Sequence, residues 1–103
     1  MKKETLPTVT PGEILLEEFL KPLAISQNRL GRDLGVPAQR IGQIVKGRRA
    51  ITLDTALRLA AYFKTSPEFW MNLQIQYELR KAKAERMTER IMREVRPLKA
   101  ANG

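Results

Sequence analysis

The sequence predicts an all-α fold of five helices, the last of them extended, and three observations carry that reading. Apolar residues recur at spacings of three and four through most of the chain, the period of one helix face. A hydroxyl residue precedes four of the five periodic runs, at Thr10, Ser26, Thr52 and Ser66, where its oxygen can accept an orphan backbone N–H. No stretch alternates with the period of two that a half-buried strand needs, and no internal repeat is present.

Residues 1–9 mix Lys, Thr and Pro without periodicity and read as a flexible N-terminal arm. The first helix opens at Thr10-Pro11-Gly12-Glu13, with Thr10 as N-cap, Pro11 in the first turn and Glu13 placed to complete a capping box. Its apolar stripe is Ile14, Leu15 and Phe19, and Leu20-Lys21-Pro22-Leu23 should end it, because a proline ring disfavours helical geometry in the residue before it. The second helix follows Ser26 and runs through Leu30 and Leu34 to Gly35, which tolerates positive φ. A third spans roughly residues 37–45 and buries Ile41, Ile44 and Val45, with Gly47 as its stop.

Thr52 caps the fourth helix, whose expected stripe is Leu53, Ala56, Leu57, Ala60 and Phe63. The fifth begins at Ser66-Pro67-Glu68 and meets no further Pro or Gly until Pro97. Along it Trp70, Leu73, Tyr77, Ala84, Met87 and Ile91 form a stripe that Arg80 interrupts; Trp70, Leu73 and Tyr77 read as core or as a dimer contact. Beyond Tyr77, basic residues interleave with Glu78, Glu85, Glu89 and Glu94, so this half pairs with a partner or frays. The expected divisions are the arm at 1–9, a helix-turn-helix domain at 10–78, and a charged C-terminal helix with a disordered tail at 79–103.

The chain has 103 residues, enough for one domain with a modest core. Its 19 Lys and Arg against 11 Asp and Glu give a net charge of +8, which points to a polyanionic partner. Cysteine and histidine are both absent. Their absence removes thiol nucleophiles, disulfides, the commonest metal ligands and the one side chain that titrates near neutrality unaided. Neither catalysis nor a metal or other cofactor is therefore expected. No apolar run approaches the ~20 residues of a membrane span, so a cytoplasmic protein without membrane contact is the expectation.

Function concentrates between Ser26 and Ile44. Two short helices joined by a few residues must cross steeply, which calls for a small residue at the crossing and a flexible one at the turn; Gly31 and Gly35 stand there. Leu30, Leu34, Val36, Ile41 and Ile44 supply the small core that fixes the crossing. This leaves Ala38, Gln39, Arg40 and Gln43 on the outer face of the third helix as base readers, since Gln can bond adenine, and Arg guanine, at two points. Gln27 and Asn28, at the start of the second helix, are placed for a backbone phosphate, which the helix dipole also attracts. Lys46, Arg48 and Arg49 form a basic loop suited to phosphate anchoring, a source of affinity and register rather than of sequence information.

Gln27, Leu30, Gly35, Val36, Ile41 and Ile44 resemble the helix-turn-helix of the phage-repressor-like (XRE) superfamily, which implies a lambda-repressor-like DNA-binding domain. Further strings, among them residues 10–15, 47–52, 54–60 and 65–74, resemble the HigA antitoxin family. That resemblance implies a homodimeric antitoxin of a type II toxin-antitoxin module. Such a protein binds a palindromic double-stranded operator, represses its own operon and neutralises a HigB-type mRNA-cleaving toxin. On these positions it gives Gln27 a phosphate contact, Ala38, Gln39, Arg40 and Gln43 the major groove, and Lys46 and Arg48 the phosphate-facing loop. Gly31 departs from the alanine usual in the superfamily, and Pro37 stands where Ser or Thr often caps the third helix. A stand-alone XRE-family transcriptional regulator without a toxin, and an enzyme or RNA-processing factor on the same scaffold, are the competing readings.

Overall fold

The computed structural model describes residues 9–99, and six helices occupy them. The first, α1, covers residues 11–23, and its middle, Leu15–Leu20, is wound as a π-helix between two α-helical ends. Then come α2 (Gln27–Leu34), α3 (Ala38–Val45), α4 (Leu53–Phe63), α5 (Pro67–Ala84) and α6 (Met87–Glu94). Except for residue 9, the expected N-terminal arm lies outside the described residues, as do positions 100–103 of the expected disordered tail.

The caps sit where the hydroxyl residues placed them. Thr10, Ser26, Thr52 and Ser66 each accept the backbone N–H three residues on, from Glu13, Arg29, Thr55 and Phe69. Gly35 and Gly47 both adopt positive φ. Helix α1, by contrast, does not stop before Pro22: Lys21 keeps helical geometry, and the helix closes on Ala24 in the left-handed region at φ 56°. The π-turn accounts for this. Its wider ring, marked by the Lys21 N–H donating to the Leu16 carbonyl, loosens the ladder that a proline interrupts. In a regular α-helix Leu15 and Leu20 would stand about 140° apart. The widened turn lets both reach the core, where each is almost fully buried.

Leu15, Leu20, Leu30, Ile41, Ile44, Ile51, Leu59 and Trp70 form the centre of the core. Phe19, Phe63, Phe69 and Trp70 cluster at one side of it, with the Phe19 ring 4.8 Å from Phe63 and 4.9 Å from Trp70, so aromatic contacts tie α1, α4 and α5 together. The buried face of α4 is turned from the expected one. Thr55, Ala56, Leu59 and Ala60 point inward, whereas Leu53 and Leu57 lie on the surface. Two neighbouring stripes on this helix share Ala56 and Ala60, and packing against α5 selects the one that contains Leu59.

The long fifth helix is also interrupted. It ends at Ala84, Arg86 takes φ 59°, and α6 leaves in a new direction. Neither Gly nor Pro marks the break. Across it Met87 lines a recess with Ile75, Leu79 and Ala82, so the turn brings an apolar side chain back to the exposed flank of α5 instead of extending it into solvent.

Candidate nucleic-acid interface

Helices α2 and α3 form the expected crossed pair, and Leu30, Leu34, Val36, Ile41 and Ile44 are all buried beneath them. At the crossing, a Cβ on Gly31 would come within 3.0 Å of the Ala38 Cα and of the Val36 carbonyl oxygen. A side chain there needs its neighbours to yield by a few tenths of an ångström, which explains glycine at this position. The other end of α3 is held more tightly still. A Cβ on Gly12 would fall 1.7 Å from the Ile44 carbonyl oxygen, so the backbone of α1 lies directly against the C-terminal turn of α3.

The outer surface of α3 presents the expected readers. Gln39, Arg40 and Gln43 line one open recess together with Pro37 and Arg49. Ala38 is half-buried at the first turn, beside Gly31. Arg49 Nη1 donates to Gln43 Oε1 at 3.1 Å, which orients the Gln43 amide and gives Arg49 a bond inside the site besides its place on the basic loop. Gln27 leans across α3: its Oε1 lies 3.5 Å from where a Cβ on Gly42 would stand. Asn28, Lys46, Arg48 and Arg49 are exposed around this surface.

Two residues of the site were not among the DNA contacts expected from the sequence. Asp54 Oδ2 accepts from Arg40 Nη1 at 3.3 Å and from Arg58 Nε at 2.9 Å. Arg58 Nη1 in turn donates to the Leu34 carbonyl at 2.9 Å, at the end of α2. The Arg58 hydrogen bond, with Arg40 adding its charge, holds the Asp54 carboxyl below the usual aspartate range, so it is ionised at neutral pH. The Asp54–Arg58 pair is visible as an i,i+4 spacing, but its link to Arg40 depends on how α3 and α4 meet.

The residues expected at a dimer contact separate. Trp70 is fully buried and donates from Nε1 to Thr65 Oγ1 at 2.8 Å, so it belongs to the core of the single chain and has no surface to offer a second copy. Leu73 is half-buried against the core, and Tyr77 lines a groove with Arg48, Arg49 and Lys81.

Two short crossed helices, a glycine at their contact and a polar outer face define a helix-turn-helix DNA-binding fold. The chain belongs to the helix-turn-helix family, whose model matches residues 16–70. Among solved structures it is similar to the Pseudomonas aeruginosa antitoxin HigA with the higBA promoter, at 46% identity and a TM-score of 0.78, covering 87% of this chain and 97% of that one. It is 34% identical to antitoxin HigA-1 of Vibrio cholerae over 79 residues, 77% of this chain and 74% of that protein. It is also 42% identical to virulence-associated protein I of Dichelobacter nodosus over 90 residues, 87% of this chain and 83% of that protein.

Proposed function

We propose that this protein is a HigA-type antitoxin of a type II toxin-antitoxin module, a dimer that represses its own operon and neutralises a toxin which cleaves mRNA. The observation that carries this reading is the face of α3, where Gln39, Arg40 and Gln43 line one recess on a helix whose ends are both set against other backbone. An amide-and-guanidinium surface of this kind suits base edges in the major groove, and the surrounding lysines and arginines suit phosphates. The likeness to an antitoxin solved with its promoter supports the same use of the surface. A two-fold dimer sets its reading helices about 34 Å apart, one turn of duplex, and so requires a palindromic operator. The reading makes the protein a cytoplasmic binder of DNA and of a partner protein, not an enzyme. No helix among the described residues is long and apolar enough to cross a membrane.

The test is a footprint of the purified protein on the DNA upstream of its own reading frame, with and without the product of the adjacent gene. A protected inverted repeat and co-purification of the two chains are the expected results; DNA binding without any partner chain leaves a stand-alone regulator. Arg40→Ala should cost about 1 to 3 kcal/mol on the operator and far less on scrambled duplex. Arg48→Ala should weaken both alike and reduce the salt dependence by about one unit of slope. Equal losses on both duplexes for Arg40→Ala would remove Arg40 from the readers.

A further inference from the structure

Arg40 is the reader with the longest reach, and an unrestrained arginine samples many rotamers and touches any phosphate within range. Here it is not unrestrained. Its side chain is 27% exposed, and Nη1 rests on Asp54 Oδ2, fourteen residues further along the chain and on another helix. Asp54 is itself positioned: Arg58 Nε holds the same carboxylate oxygen, and Arg58 Nη1 holds the Leu34 carbonyl at the turn between α2 and α3. A continuous polar chain thus runs from the turn, through Arg58 and Asp54, to the guanidinium of Arg40. The contact uses one N–H of a fork that has several, so donors remain for a base.

We propose that Asp54 is the positioning residue that gives Arg40 its base preference, holding the guanidinium from the protein side while its remaining donors meet the O6 and N7 of a guanine. This rests on the groove-reading role of α3 given above. Two effects of the carboxylate act in the same direction. It limits the poses open to Arg40, so a bidentate contact with guanine is formed with less ordering of the side chain. Its negative charge also opposes close approach of phosphate, so a duplex that offers no guanine edge gains less from this part of the surface.

The test uses the full chain and duplexes enriched by the wild-type protein from a random pool, with each base pair of the resulting consensus then changed in turn. Arg40→Ala identifies the position that Arg40 reads. Asp54→Ala should lose about tenfold of the discrimination at that same position, while Asp54→Asn, which keeps an accepting oxygen, should lose less. Both variants should bind scrambled duplex at least as tightly as wild type. In an Arg40→Ala background, Asp54→Ala should change nothing further at that position. Full discrimination retained by Asp54→Ala overturns the proposal, as does an equal loss in the Arg40→Ala background. Thermal melts verify folding, and if Asp54→Ala fails to fold, the Asn variant and its double mutant decide. Absence of any consensus with the wild-type protein would overturn the groove-reading role first, before a variant is measured, and this proposal with it.

Discussion

Gln74 is buried on a helix face where the apolar spacing gives no hint of it, and its reason for being there lies 23 residues away. Its Oε1 accepts the buried Ile51 N–H at 2.9 Å, and its Nε2 donates to Glu78. Gln74→Leu preserves much of the volume but strands the Ile51 donor, which should lower stability by about 1 to 3 kcal/mol in urea unfolding with the m-value unchanged. Asp33 offers a second test at this scale. The Tyr62 hydroxyl donates to it at 2.7 Å, and that bond first, with Arg29 beside it, lowers the Asp33 pKa; the same bond raises that of Tyr62. The carboxyl therefore contributes stability above its unfolded pKa and loses it as pH falls through the lowered folded value. The phenol contributes below its unfolded pKa and loses this as pH rises through the raised one. Tyr62→Phe should lower the urea midpoint at neutral pH, and the two proteins should converge as pH falls through the lowered Asp33 value and again as it rises through the raised Tyr62 value. A gap that stays constant across that range would mean the loss comes from packing alone.

Among the elements, α1 ends in a conformation that alanine adopts at a cost. Ala24 stands at φ 56° and ψ 42°, and Ala24→Gly should stabilise the protein by about 0.5 to 1 kcal/mol, seen as a Tm higher by a few degrees. The start of every helix from α1 to α5 was legible in the sequence to within a residue, because a cap is a local event: a hydroxyl or a proline, and the first turn after it. What was not legible involves distance. The face of α4 could not be chosen between Leu57 and Leu59 without the helices against which it packs. The break at Arg86 follows from recovery of Met87 by α5, and a residue other than glycine at positive φ leaves no mark in the sequence. The outer face of α3 shows the same division. That Gln39, Arg40 and Gln43 lie on it was legible from the motif, whereas the contacts that hold Arg40 and Gln43, from Asp54 and Arg49, come from other elements.

At the scale of the whole molecule, the core is complete before α6 begins. No residue of Met87–Glu94 is buried, and Trp70 and Gln74 are the buried positions of α5. A chain ended after Glu85 should therefore unfold as cooperatively as the full protein, with a Tm within about 3 °C of it. A larger fall would place α6 within the folding unit. The same truncation removes five basic and two acidic side chains among residues 86–99, so comparison of salt slopes on one duplex reports whether this segment touches phosphate.

The backbone of α1 lies against the last turn of α3 at Gly12, while Gly31 admits α2 against the first turn. A segment clamped at both extremities does not have to be organised when it docks. Recognition by it is closer to the meeting of two finished shapes than to folding on a template, and the free energy of contact is then available to separate one sequence from another.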